Sequence, residues 1–337
     1  MLAVVLHFVF LSMRKPQFPM EQVQDLPIAL TPMAWSNLDQ PFGVHYFVDP
    51  DLKFIGGITL SSAHPYFGGW SGLAIIDNRT KLLAVSDTGQ WMETRLRTEP
   101  DGRITGVDSS VIGPIIDADE KPLFASHSSD IEAIAVTDSR IFLSYESIRS
   151  GVWIAKRTDS LSQARFAGLS VPGAIADLPT GKGLEALTVI EDAASQVSKI
   201  VLIAERQSGM NAGFTPAWII GMHGEIIEQF ELPIQDAFDV SDVAYDPRCG
   251  LWILERKLEI PGRWYVRLLR SELHGEPLLA NLTLEKMFEA DSSGYAIDNM
   301  EGVALVANQD ASCNVYLISD SNFLRVQKNV LLEFVYH

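Results

Sequence analysis

One pattern recurs five times along the 337-residue chain, and it restricts the fold more than any other feature. Each copy is a short apolar run opened by a Gly or an acidic residue, then a polar turn, then a second apolar run that ends in an acidic residue. The copies are WSGLAIIDNRTKLLAVSDTG from Trp70, DIEAIAVTDSRIFLSYES from Asp130, GLEALTVIEDAASQVSKIVLIAERQ from Gly183, VSDVAYDPRCGLWILERK from Val240 and NMEGVALVANQDASCNVYLISDSNF from Asn299. Aligned on Ser71, Glu132, Glu185, Asp242 and Glu301, they step by 61, 53, 57 and 59 residues. A period of this size means that one supersecondary unit stacks on copies of itself to bury a shared core.

The runs are rich in Val, Ile, Leu and Ala and hold no sustained helical period, so they read as strands. Polar residues between them, such as Asp77-Asn78, Asp138-Ser139 and Asp246-Pro247, read as hairpin turns. The second half of each repeat, for example GVWIAKR from Gly151, adds two further strands. Four strands per repeat of this length make a propeller blade. The expected fold is therefore all-β, a β-propeller of five or six four-stranded blades. The strand-like segments 42–60 and 322–336 either close the ring in one shared blade or form a degenerate sixth. A closed ring leaves few exposed strand edges.

Residues 26–337 read as a single domain. Residues 1–25 carry an apolar run, Leu2 to Leu11, that is too short to span a bilayer. It resembles the hydrophobic part of an export signal, although Arg14 and Lys15 follow the run instead of preceding it. Either a degenerate signal or a disordered terminus fits, and the former places the protein in the periplasm or outside the cell. No stable membrane insertion is expected.

Acidic residues outnumber basic ones, 43 to 26, for a net charge of −17. Such a field repels nucleic acid and anionic lipid, and favours a cation or an anion reached through one. Cys249 and Cys313 fall in corresponding turns of neighbouring repeats, so they are either a disulfide or two free thiols. Without a CxxC pair or paired histidines, a zinc site has no support. His127 lies near Asp130 and is either a loop residue or a visitor to the channel mouth.

In a propeller the first strand of each blade lines the central channel. Hairpin geometry brings the start of the first strand and the end of the second to one mouth. The acidic residues expected there are Glu132, Glu185, Asp242 and Glu301 from first strands, and Asp87, Glu146, Glu205, Glu255 and Asp320 from second strands. So many carboxylates repel one another and call for compensation. Ca²⁺ takes oxygen ligands of this type, and Asp87, Glu132, Glu185, Glu205, Asp242, Glu255, Glu301 and Asp320 are the candidate ligands. Arg206, Arg256, Lys182 and Arg149 flank them as candidates for holding an anionic substrate group. Glu132 and Glu185 are the candidate catalytic carboxylates. The same acidic residues could instead cap turns or pair neighbouring blades.

The motifs GGWSGLA (from Gly68), SDTG (from Ser86), DIEAIAV, GLEALTV, AERQ (from Ala204), MEGVAL (from Met300) and LISDSNF (from Leu317) resemble the phytase-like, or "esterase-like activity of phytase", family of bacterial proteins. The resemblance spans roughly residues 42 to 335. It implies a propeller, export from the cytoplasm, and calcium-dependent hydrolysis of phosphoesters or other esters. It carries Glu132, Glu185 and Glu301 over as the motif glutamates and Asp87 and Asp320 as the SD aspartates, with Asp242 in place of Glu in the fourth copy. The D-A-x-D-D-P-A stretch of β-propeller phytases is absent, which argues against phytate. The expected protein is a monomeric hydrolase of a small anionic ester or phosphoester. The alternatives are a non-catalytic propeller that binds a ligand or protein, and a lactonase-like calcium hydrolase using Asn299 or Asn322.

Overall fold

The computed structural model describes residues 16, 20–35, 46–99, 103–123, 130–179, 182–192, 197–206, 213–259, 262–273, 278 and 282–337. His127 and most of the proposed export segment lie outside them. Five antiparallel sheets account for the repeats. Blade I holds β5 (Trp70–Ile76), β6 (Lys81–Ser86), β7 (Gln90–Thr98) and β8 (Ile104–Pro114), with β1 (Gln24–Asp25) on its outer edge. Blade II is β9 (Asp130–Val136), β10 (Arg140–Glu146), β11 (Gly151–Lys156) and β12 (Ala167–Leu169). Blade III is β13 (Leu184–Asp192), β14 (Val197–Ala204), β15 (Phe214–Ile220) and β16 (Ile226–Pro233). Blade IV is β17 (Asp239–Asp246), β18 (Gly250–Glu259), β19 (Arg263–Ser271) and β20 (Glu285–Asp291), edged by β3 (Tyr46–Val48).

The closing blade settles the count at five. It takes β21 (Met300–Ala307), β22 (Cys313–Ser319) and β23 (Asn329–Tyr336) from the C-terminus and β4 (Leu52–Ser61) from the N-terminus, edged by β2 (Ala29–Pro32). The two unassigned segments of the sequence thus share one blade, with Leu332 opposite Gly57 and Tyr336 opposite Leu52. Among the described residues pairing begins at Gln24, just ahead of the boundary expected at residue 26, because Gln24 and Asp25 pair with Ile112 and Val111. Met20 and Leu26 are buried beside them.

Each first strand packs on the next around the ring, β5 on β9, β9 on β13, β13 on β17, β17 on β21, and β21 back on β5. The approach is close enough to dictate residue size. A Cβ on Gly72 would lie 2.8 Å from the backbone nitrogen of Ile134, and one on Gly302 would lie 3.0 Å from that of Leu73. Between blades lie apolar layers, for instance Leu187, Leu202 and Trp218 against Phe142 and Val152. The disulfide Cys249–Cys313, with Cα atoms 5.8 Å apart, ties the turns of blades IV and V. No described helix is long and apolar enough to cross a membrane.

Candidate functional site

Every blade carries an irregularity at the same place. Where the first strand meets the end of the second, the pairing skips one residue: Ser71 in blade I, Glu132 in II, Glu185 in III, Ser241 in IV and Glu301 in V. A β-bulge of this kind re-aims one side chain and sharpens the local twist. The framework around it is constant: an apolar residue, the bulged residue, a third residue, then another apolar one (Trp70-Ser71-Gly72-Leu73, Leu184-Glu185-Ala186-Leu187, Val240-Ser241-Asp242-Val243). The second strand then contributes the residue just beyond the bulge partner: Asp87, Glu146, Glu205, Arg256 and Asp320.

Blade IV therefore departs from the alignment made on acidic residues. Ser241 occupies the bulge, and Asp242 stands where the other blades have Gly72, Ala133, Ala186 and Gly302. Likewise Arg256 takes the position of the second-strand acids, and Glu255 lies one residue earlier. Side chains alternate faces along a strand, so a slip of one residue moves both carboxyls away from the hub. Asp242 is 1% exposed and works as a clamp between blades. Its Oδ1 accepts from the N–H of Val243 and its Oδ2 from that of Val303 in blade V, both at 2.8 Å. Burial pushes its carboxyl well above the usual range, against the pull of those two bonds. Glu255 faces an interblade cavity beside Arg267.

The remaining residues form a hub with two unlike arcs. On one arc Glu132 and Glu185 occupy the bulges of neighbouring blades. Burial raises the Glu132 carboxyl well above its ordinary range, and the charges of Glu185, Asp130, Asp87 and Glu146 add to the effect. Glu185, 7% exposed, is pushed up to about 8 by burial, with Arg256 pulling down and Glu205, Glu146 and Asp130 pushing up. Among the described residues neither side chain has a hydrogen-bond partner. Glu146 is anchored instead, accepting from the N–H of Gly183 in the next blade at 2.7 Å.

On the other arc Arg256 offsets one of the carboxylates. Arg256 pairs with Glu301 and donates to Asn299 Oδ1 at 2.8 Å, while Asn299 Nδ2 donates to Glu301 Oε1 at 2.6 Å. Asn299 is thus engaged at both ends, which leaves it poorly placed as a lactonase-like ligand. Asp320 accepts from the N–H of Asn322 at 2.7 Å. Of the other cations, Lys182 meets Glu205 at 2.5 Å and Arg206 meets Asp239 at 2.5 Å. Arg149 pairs with Asp177 at 3.2 Å, with both side chains largely exposed; it joins none of the hub carboxyls in that pairing.

Oxygen donors suit a hard cation such as Ca²⁺. Yet among the described residues no three His, Cys, Asp or Glu side chains stand close enough to hold one ion. The hub as built does not fit a metal cage. At the far end of the channel a cavity of about 370 Å³ is lined by residues from all five first strands, apolar ones such as Leu73, Ile134, Leu187 and Val303 together with Thr137, Glu191 and Asp246. What the acidic end offers chemically is a pair of adjacent carboxyls both raised above the ordinary range, Glu185 to about 8, the kind of shift that acid–base catalysis uses.

The sequence alignment matched Ser71 with Asp242 where the structure matches it with Ser241, and so it missed both Ser241 and the inverted charge at Arg256. The apolar framework would have revealed both.

A search of curated proteins finds no match. Solved structures give distant likenesses. An aldose sugar dehydrogenase from Streptomyces coelicolor is 14% identical over 87% of this chain and 98% of its own, with a TM-score of 0.40. A β-1,2-mannobiose phosphorylase from Listeria innocua is 9% identical over 91% and 90%, with a TM-score of 0.44. Neither bears on the chemistry of this hub. The family model described as "Phytase-like: Esterase-like activity of phytase" matches residues 65–323, which takes in all five bulges and the hub they carry. The chain therefore belongs to the phytase-like family.

Proposed function

We propose that the protein hydrolyses small anionic esters, phosphate esters or others, with Glu132 and Glu185 as an acid–base pair at the acidic mouth of the channel. The observation that carries this is the pair itself: two buried or half-buried glutamates on adjacent bulges, both raised in pKa, without hydrogen-bond partners among the described residues. Coupled carboxyls of this kind titrate as a unit and share a proton over a range of pH. The ionised member takes a proton from water as the water oxygen bonds to the ester carbon or phosphorus. The protonated member gives its proton to the leaving oxygen as that bond breaks.

Arg256, although paired with Glu301, is the cation whose charge reaches Glu185 most strongly, and it is the one proposed to meet an anionic substrate group. Lys182 and Arg206 stand at the edge of the same region, each already paired. Calcium takes no part in the proposed reaction, because among the described residues no three hub carboxyls stand close enough to hold one ion; the chelator arm of the test below checks this. The protein is proposed to act as an exported monomer.

The test is turnover of p-nitrophenyl phosphate, p-nitrophenyl acetate and a lactone, each with Ca²⁺ and with a chelator. Phosphate or acetate ester cleavage that disappears in both Glu132→Gln and Glu185→Gln supports the proposal. Activity on the lactone alone favours a lactonase. Absence of turnover on all three favours a non-catalytic propeller that binds at the same mouth.

A further inference from the structure

Charge is buried in the interface between blades III and IV. There a row of charges crosses three adjacent strands, because Glu255 on β18 pairs with Arg267 on β19, and Arg267 with Glu289 on β20. All three are nearly buried. Placing charges in such an interface is costly unless each is fully partnered.

Arg267 is well served. It donates to Glu289 at 2.7 Å, to Asp236 at 2.9 Å and to the Gln235 carbonyl at 3.4 Å, and its guanidinium lies 4.0 Å over the Phe238 ring. Lys286 adds a second contact to Glu289 at 3.2 Å. Glu255 is not well served. It is 1% exposed, its Oε2 has only a 3.5 Å contact to Arg267, and its Oε1 is buried without a partner.

Glu255 lines a cavity of about 350 Å³. The cavity wall is otherwise largely aliphatic and aromatic, including Phe230, Leu232, Leu269, Leu282 and Leu284. Across the polar end, the carboxyls of Asp236, Glu255 and Glu289 face the cations Arg267 and Lys286, which leaves one negative charge over. Burial pushes Glu255 up to about 7, with Arg267 pulling the other way.

We propose that this interblade cavity is a second binding site, separate from the hub, for a primary alkylammonium or arylalkylammonium ion whose apolar body fills the leucine-lined space and whose N–H groups complete Glu255. An apolar pocket with a few polar groups that fix orientation is the ordinary form of a small-molecule site. A single cation matches both the orphaned oxygen and the excess charge. A neutral ligand of the same shape satisfies only the space, and an anion meets Glu255 with repulsion.

Titration calorimetry on the full chain tests this, with hexylammonium as the probe and hexan-1-ol as its neutral counterpart. Hexylammonium is expected to bind saturably, about tenfold or more tightly than the alcohol, and to lose about the same factor in Glu255→Gln. Glu185→Gln, in the hub, is expected to leave the affinity unchanged. Equal binding of ammonium and alcohol, full affinity in Glu255→Gln, loss of binding in Glu185→Gln, or no saturable binding at all would each overturn the proposal. If Glu255→Gln does not fold, Leu282→Trp takes its place, since it fills the cavity while leaving the charges intact. Loss of binding is then the supporting result, and retained affinity the refuting one.

Discussion

Replacing Glu185 by Gln should make the protein more stable at alkaline pH, although the substitution adds no contact. The folded-state carboxyl titrates near 8 against an ordinary value of 4.5, because burial penalises the charge and Glu205, Glu146 and Asp130 repel it more than Arg256 attracts it. A raised pKa means that the folded protein keeps a proton that the unfolded chain has already lost. Stability from this group is therefore complete below about pH 4.5, drains away as pH rises, and is gone above about pH 8. At 1.36 kcal/mol per unit, the full shift is worth at most about 5 kcal/mol. Gln has the same shape and no charge to bury. The stability difference between Glu185→Gln and the parent should thus grow with pH by several kcal/mol, up to the ~5 kcal/mol ceiling. Urea unfolding of both proteins at intervals from about pH 4.5 to about pH 9 measures it. Parallel curves with a constant offset would refute the electrostatic account of the hub.

Asp242→Ala removes the acceptors of the Val243 and Val303 N–H groups in a dry interface. It should cost about 2–4 kcal/mol in urea unfolding, whereas a residue acting only as a metal ligand would show no such loss. Reducing Cys249–Cys313 opens a loop with a sequence separation of 64. That should lower stability by about 4 kcal/mol, read as a drop in the urea midpoint on adding reductant. If Ca²⁺ binds at the hub, it must displace the proton of Glu185, so its affinity in calorimetric titrations should rise with pH up to about pH 8. A pH-independent affinity would place calcium elsewhere.

The blades were legible because their period is long, regular and punctuated by turn residues such as Asp138-Ser139. Ring closure was harder to read, since β4 and β23 lie at opposite ends of the chain and nothing local tells a shared blade from a sixth. The bulge position was legible in four of the blades, where Ser71, Glu132, Glu185 and Glu301 stand within the same apolar frame. It failed in blade IV because acidity was followed in preference to hydrophobicity. Val240 and Val243 match Leu184 and Leu187, which puts Ser241 and not Asp242 on the bulge. The orphaned oxygen of Glu255 had no sequence signature at all, because it arises from packing between β16 and β18 to β20. The raised carboxyls were likewise beyond sequence, since burial and not residue type sets them.

Carboxyl ¹³C NMR of the glutamate-labelled protein looks most directly at whether glutamates from separate blades meet in one low-dielectric pocket. A resonance that titrates near pH 8 and vanishes in Glu185→Gln is the expected result. If every glutamate titrates within the ordinary range of about 4 to 5, the carboxyls are separate and solvated, and the hub described above does not exist.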